Sequence, residues 1–357
     1  MAENKRTRWQ RRPGTTGGKL PWNDWRNATT WRKATQLLLL ATNIYIAITF
    51  WYWVRYYETA SSTTFVARPG GIEGWLPIAG LMNLKYSLTT GQLPSVHVAA
   101  MLLLVAFIVI SLLLKKAFCS WLCPVGTLSE LIGDLGNKLF GRQCVLPRWL
   151  DIPLRGVKYL LLSFFLYIAL LMPAQAIHYF RLSPYSVVMD VKMLDFFGHM
   201  GTATLISVTV LLIASLFIRH AWCRYLCPYG ALMGVVSLLS PFKIRRNAES
   251  CIDCGKCAKN CPSRIPVDKL IQVRTVECTG CMTCVESCPV ASTLTFSLQK
   301  PAANKKAFAL SGWLMTLLVL GIMFAVIGYA MYAGVWQSPV PEELYRRLIP
   351  QAPMIGH

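Results

Sequence analysis

Five runs of about 20 apolar residues dominate the chain, near 35–54, 95–114, 156–177, 202–218 and 308–332. A bilayer core of roughly 30 Å takes about that many residues of helix. Lipid offers nothing to pair with a free backbone amide or carbonyl, so each run must satisfy its own backbone as a helix. A mean hydropathy of +0.44 over 357 residues, with 15% of them charged, fits a multi-pass membrane bundle and not a soluble domain. A sixth stretch, IEGWLPIAGLMNLKYSLTTGQ at 72–92, contains Pro, Gly and Lys and reads as an amphipathic or re-entrant segment.

The first 35 residues carry nine Lys and Arg, too spread out for a cleavable leader, so the first run reads as an uncleaved anchor. With a cytoplasmic N-terminus, the inside segments (1–35, 115–155, 219–307) hold 28 Lys and Arg against 7 in the outside ones. This bias predicts an inner-membrane protein with a cytoplasmic 219–307 segment and a periplasmic C-terminus. Most of the +20 net charge then faces anionic headgroups, which makes membrane lipids the expected partner and excludes a nucleic-acid role.

All thirteen cysteines fall on the inside by this topology, where thiols stay reduced. Eight of them form CIDCGKCAKNCP at 251–262 and CTGCMTCVESCP at 278–289, two copies of C-x2-C-x2-C-x3-C-P. Three closely spaced thiolates wrap three corners of an iron–sulfur cube, and the fourth crosses to the neighbouring cube. One 4Fe-4S cluster is therefore expected on Cys251, Cys254, Cys257 and Cys288, and a second on Cys278, Cys281, Cys284 and Cys261. Pro262 and Pro289 cap the turns, and Gly255 and Gly280 let backbone amides approach the sulfides. Zinc knuckles would use the same residue type, but not two tandem runs each closed by proline.

KKAFCSWLCPVGTLSE at 115–130 returns as RHAWCRYLCPYGALMG at 219–234, pairing Cys119 with Cys223 and Cys123 with Cys227. Pro77, Met82 and Lys85 likewise match Pro184, Met189 and Lys192, which makes a repeat of about 100 residues. Both cysteine-bearing runs point the same way, so the repeat is parallel, and an axis along the membrane normal would bring the four thiols together. Three readings stand for them: a third metal centre, either iron–sulfur or copper; a redox-active thiol set; or small buried residues. Lys115, Lys116, Arg219 and His220 are expected to snorkel to the headgroups. Cys144 has no partner in the repeat and reads as structural.

The remaining candidates are bland. His97 and His178 read as interfacial histidines or quinone contacts in preference to haem ligands, and no C-x-x-C-H motif is present. Met189, Met193 and Met200 with His178 and His199 could suit copper, but the methionines more simply pack against the bundle. Trp51, Tyr52, Trp53, Tyr56 and Tyr57 read as an interfacial aromatic belt.

Two membrane C-x3-C-P motifs joined to a two-cluster ferredoxin segment resemble the NapH/NosR-type membrane polyferredoxins over roughly 75–300. The resemblance implies an inner-membrane electron carrier with two 4Fe-4S clusters, among relatives that pass electrons between the quinone pool and periplasmic reductases. NosR-like proteins also carry an outer flavin domain, which no outside segment here is long enough to hold. CcoG-like relatives, linked to copper handling, carry an extra outer C-terminal domain where this chain has only WQSPVPEELYRRLIPQAPMIGH.

The expected fold is mainly α, a duplicated transmembrane core with an inserted α+β ferredoxin-like module. Its parts are a basic segment 1–34, the core 35–240, the module 241–300, a fifth span within 301–332 and a tail 333–357. The expected function is electron transfer, as a carrier or redox subunit in preference to a stand-alone enzyme, exchanging with quinone or quinol or with a redox partner protein. Copper handling and an assembly role for a redox complex are the alternatives.

Overall fold

The computed structural model describes residues 27–59, 62–141, 144, 146–298 and 308–355. Most of the basic segment 1–34 lies outside them. In chain order the helices are α1 (Ala28–Glu58), α2 (Pro77–Thr90), α3 (Val98–Leu114), α4 (Pro124–Phe140), α5 (Arg148–Leu171), α6 (Ala174–Leu182), α7 (Pro184–Val187), α8 (Met189–Gly198) and α9 (Thr202–Phe217). They continue with α10 (Ala221–Tyr225), α11 (Pro228–Val236), α12 (Lys256–Lys259), α13 (Thr283–Glu286), α14 (Gly312–Tyr332) and α15 (Glu342–Leu348). One antiparallel pair, β1 (Lys243–Arg246) and β2 (Leu294–Ser297), sets Lys243 opposite Ser297 and Arg246 opposite Leu294.

Among the described residues three helices are long and apolar enough to cross a membrane: α1, α14 and, from Trp149, α5. The other two expected spans are shorter. α3 has 17 residues and α9 has 16, or roughly 25 Å of helix each. α9 is preceded by α8 at a bend of 78°, and the pair can count as one broken span. The third run was expected to reach 177, but α5 stops at Leu171 because Pro173 has no N–H to donate; α6 restarts behind it. The stretch at 72–92 becomes a short 3-10 turn, Gly70–Trp75, followed by α2, whose first residue is proline and whose cap is Gly91 at φ 70°.

The chain forms two compact units. The first comprises 1–40, 107–158 and 215–322, and it contains every cysteine. Its ferredoxin-like module is built on the β pair, with Ile244, Leu294 and Phe296 buried. α1 is fastened to α4 in this unit: Arg32 donates to both oxygens of Glu130, and Gln36 Nε2 donates to Glu130 at 3.0 Å and to the Ser120 carbonyl at 2.9 Å.

The second unit comprises 41–106, 159–214 and 323–357. Its core includes Trp53, Tyr57, Val187, Tyr345 and Ile349. Two members of the expected aromatic belt are therefore core residues: Trp53 packs edge-on against Tyr345 at 5.0 Å, while Trp51 and Tyr52 stay exposed. The tail is folded, with Tyr345, Leu348, Ile349 and Ala352 all buried. A polar cluster is buried as well. Arg68 pairs with Asp190 at 2.7 Å and with Glu73 at 3.3 Å, and Ser338 donates to Glu73 at 2.9 Å.

Candidate metal centres

Two cavities lie in the ferredoxin-like module. Cys261, Cys278, Cys281 and Cys284 line one; Cys251, Cys254, Cys257 and Cys288 line the other. Each cavity thus takes three cysteines from one run and the fourth from the opposite run. Among the described residues no three Cys, His, Asp or Glu side chains converge tightly enough for a single ion. Three thiols from one run and a fourth from the other are the donor set that two-cluster ferredoxins use.

The loops around the cavities owe their shape to left-handed residues. In the first run Asp253 (φ 52°) and Gly255 (φ 65°) flank the second cysteine; in the second run Gly280 (φ 62°) and Met282 (φ 59°) hold the same two places. Alternating right- and left-handed residues turn successive N–H groups toward a common centre, a shape that favours anions. The two glycines were legible in the sequence. Met282 was not, because an unbranched apolar residue is rarely found at positive φ; Asp253, a type that tolerates it better, was not singled out.

Burial pushes the Cys261 thiol up to about 12, with the neighbouring sulfurs adding to it, and pushes Cys284 well up for the same reasons. Such thiols ionise when a cation compensates them, so metal loading here releases protons. Exposure differs between the cavities. Cys278, Cys281 and Cys284 are buried, whereas Cys254 in the other cavity is exposed.

The C-x3-C-P pairs are built alike. α3 ends where Lys115 turns left-handed at φ 62°, a short π turn carries Phe118–Leu122, and Pro124 starts α4 with Cys123 as its cap. In the second copy His220 turns left-handed at φ 57°, and Pro228 starts α11 with Cys227 as its cap. Gly230 donates its N–H to Cys227 Sγ at 3.2 Å, whereas Cys123 caps α4 with no such side-chain bond. A sulfur at a helix N-terminus is biased toward thiolate. Cys119, Cys123, Cys223 and Cys227 lie within electrostatic reach of one another, and burial pushes Cys119 up to about 12 and Cys123 to about 11. Tyr229, not singled out in the sequence, sits beside them and meets Phe118 edge-on at 5.6 Å.

The second ferredoxin run rests directly on this region. Ser120 Oγ donates to the Thr279 carbonyl at 2.7 Å, and Trp121 Nε1 donates to the Gly280 carbonyl at 3.3 Å. Gly280 has no room for a bulky group, since a Cβ there would stand 3.1 Å from the Leu114 carbonyl. Lys158, fully buried, holds Glu277 through both oxygens at 2.7 and 2.9 Å, one residue before Cys278.

The other candidates are held in packing or exposed. His97 is buried with Nε2 2.8 Å from the Ser186 carbonyl and Nδ1 3.3 Å from Glu73, so it is not interfacial. His178 stands 3.4 Å from the Tyr86 hydroxyl, and His199 pairs with Asp195 at 2.6 Å. Met189 and Met193 pack on Leu76, Ala79 and Ala100. Cys144, expected to be structural, is exposed.

The "4Fe-4S binding domain" family matches at 96–143 and again at 200–247, each time over one C-x3-C-P pair. The "4Fe-4S dicluster domain" family matches at 243–289. A protein of Escherichia coli strain K12 named "Putative electron transport protein YccM" is 98% identical over 357 residues, all of both chains. Ferredoxin-type protein NapH of the same strain is 27% identical over 58% of this chain and 70% of its own. Regulatory protein NosR of Pseudomonas aeruginosa is 29% identical over 59% of this chain and 29% of its own. The chain belongs to the NapH/NosR-type membrane polyferredoxins. No solved structure matches it. The chain joins matches to two 4Fe-4S families to helices long and apolar enough to cross a membrane.

Proposed function

We propose that this polyferredoxin carries electrons between a cytoplasmic donor or acceptor and a membrane partner such as the quinone pool. The observation that carries the reading is the lining of the two cavities by four cysteines each, with the fourth exchanged between runs. Cys251, Cys254, Cys257 and Cys288 would hold one 4Fe-4S cluster, and Cys261, Cys278, Cys281 and Cys284 the other. Such clusters supply one-electron chemistry when bound.

The chain's own residues position and insulate. Backbone N–H groups held inward by Asp253, Gly255, Gly280 and Met282 favour negative charge in the cavities. Ser120 and Trp121 clamp the second run, and Arg32, Gln36 and Glu130 clamp Ser120 in turn. The membrane cysteines Cys119, Cys123, Cys223 and Cys227 form a third metal-thiolate centre in this reading. It is supported by their electrostatic proximity and by the twofold match of one 4Fe-4S family 104 residues apart. That repetition also favours the parallel duplication. The cation bias supports a cytoplasmic module and a tail on the periplasmic side of the inner membrane in this reading.

The test is anaerobic purification of the full chain in detergent, with iron and sulfide content and electron paramagnetic resonance after dithionite reduction. Two interacting 4Fe-4S signals are expected; iron-free protein with no such signal after reconstitution would defeat the reading. Cys119→Ser with Cys223→Ser is expected to lower total metal while sparing both ferredoxin signals.

A further inference from the structure

Lys115 and Lys116, expected to snorkel, are instead buried at 0% and 4% exposure. The cations of the first ferredoxin run are the opposite case. Lys256 and Lys259 on α12, and Lys269 on the 3-10 turn Val267–Lys269 packed against it, are exposed. Among the described residues none of the three is in an ion pair. Just before them stand Ile252, 47% exposed, and Cys254, which lines its cavity and is itself open to solvent.

Aligned on their cysteines, the two runs set Ile252, Lys256 and Lys259 against Thr279, Thr283 and Glu286. The second run spends this face on the helices. The Thr279 carbonyl accepts from Ser120 Oγ at 2.7 Å, Glu286 Oε1 accepts from the Thr29 N–H at 2.8 Å, and a Cβ on Gly280 would stand 3.1 Å from the Leu114 carbonyl. On the first run a Cβ on Gly255 would meet no atom within 4 Å. The bonds beside it stay inside the module, Arg246 with Asp253 at 3.6 Å and Ser250 Oγ with Thr293 Oγ1 at 2.9 Å. One run is seated on membrane helices, and its twin turns the equivalent face to solvent.

That face has an apolar residue at its centre and cations around it, the layout of a protein interface with a polar rim. A cluster held by four thiolates is anionic and would repel an acidic protein, unless cations on the rim draw it in. The acids of this stretch are fewer and partly engaged: Asp253 pairs with Arg246, Asp268 lines the cavity, and Glu249 is exposed two residues before Cys251. We propose that the face carrying Ile252, Cys254, Lys256, Lys259 and Lys269 docks a soluble one-electron carrier protein with an acidic surface, which exchanges electrons with the cavity of Cys251, Cys254, Cys257 and Cys288. This rests on the cluster reading of that cavity. In the docked pair the reduced carrier loses one electron and the cluster gains it. No bond forms or breaks, and no proton moves.

The probe is flavodoxin reduced to its hydroquinone, an acidic protein that gives up one electron to become the semiquinone. It is mixed with the anaerobically loaded full chain in neutral detergent, and cluster reduction is followed by stopped-flow absorbance. Lys256→Glu combined with Lys259→Glu is expected to slow the bimolecular rate about tenfold at low salt. The wild-type rate falls as salt is added, and that of the doubly reversed chain does not. Lys138→Glu, which reverses an exposed cation of α4, stays within about twofold of wild type. Dithionite brings every variant to the same final electron paramagnetic resonance signal. Should the reversed chain not accumulate, Lys256→Gln with Lys259→Gln serves, with a smaller slowing in the same direction. Equal slowing by Lys138→Glu, or a wild-type rate indifferent to salt, overturns the proposal. A rate unmoved by the double reversal does so too, and assigns these cations to lipid headgroups. A wild type with no signal after dithionite defeats the underlying cluster reading; a normal signal with an unmoved rate defeats the docking face alone.

Discussion

Arg32 and Glu130 meet as a two-pronged pair, Nη1 to Oε2 at 2.6 Å and Nη2 to Oε1 at 2.8 Å, with both side chains under a tenth exposed. This pair joins the first transmembrane helix to the helix that starts at Cys123. Through Gln36 the same network reaches the Ser120 carbonyl, between the two cysteines of the first pair. Removing one partner strands a buried charge. Arg32→Met or Glu130→Gln is expected to cost about 3–5 kcal/mol. Combining Arg32→Met with Glu130→Leu is expected to cost less than the sum of the single changes. Thermal unfolding in detergent reads this; additive losses would show that the pair does not act as a unit.

The same pair sets an acid limit. Burial alone would push the Glu130 carboxyl up, but Arg32 and then Gln36 outweigh it and hold it down at about 2, against an ordinary 4.5. A folded value below the unfolded one means that the contribution is complete above about 4.5 and is lost as pH falls toward about 2. The advantage of wild type over Glu130→Gln in melting temperature is expected to be constant from pH 5 to 7 and to shrink steadily below. A gap that does not change with pH would remove Glu130 as the titrating group.

Gly126 and Gly230 occupy the same place in the two repeats but have different surroundings. A Cβ on Gly126 would collide with the Cys119 carbonyl, while one on Gly230 meets Cys227 Sγ and Lys116 at an ordinary 3.6 Å. Gly126→Ala is expected to lower the yield of folded protein severalfold, and Gly230→Ala to leave it near wild type. Size-exclusion profiles of the two variants provide the check.

Exchange of the fourth cysteine between runs has its own signature. Cys261→Ser removes a ligand that belongs in sequence to the first run but lines the cavity of the second. It is expected to perturb the signal of the Cys278, Cys281, Cys284 centre and spare the other, and Cys288→Ser the reverse. Signals lost the other way round would refute the crossing.

Spacing made the cysteines legible because cluster ligation is a local sequence property, and length made the apolar helices legible because lipid imposes it. What escaped depends on contacts far apart in the chain. Glu130 looks like any surface acid in GTLSELIGDLG until Arg32, nearly a hundred residues earlier, is folded onto it. Lys115 looks like a headgroup anchor because the sequence does not show that its ammonium meets the Thr275 carbonyl, 160 residues later. Trp53 and Tyr57 were assigned to an interface because their partner, Tyr345, lies in a tail with no apolar run to advertise a helix. Pro173 was visible all along, but the apolar residues beyond it outweighed its effect on the helix.

The unequal exposure of the two cavities decides where damage begins. Cys254 is open to solvent, while three of the four cysteines of the other cavity, Cys278, Cys281 and Cys284, are buried. Dissolved oxygen or peroxide therefore meets the Cys254 side first. If each cavity holds a cluster as proposed, the one beside Cys254 should be lost in air well before the one beside Cys278, leaving for that interval a module with a single loaded cavity.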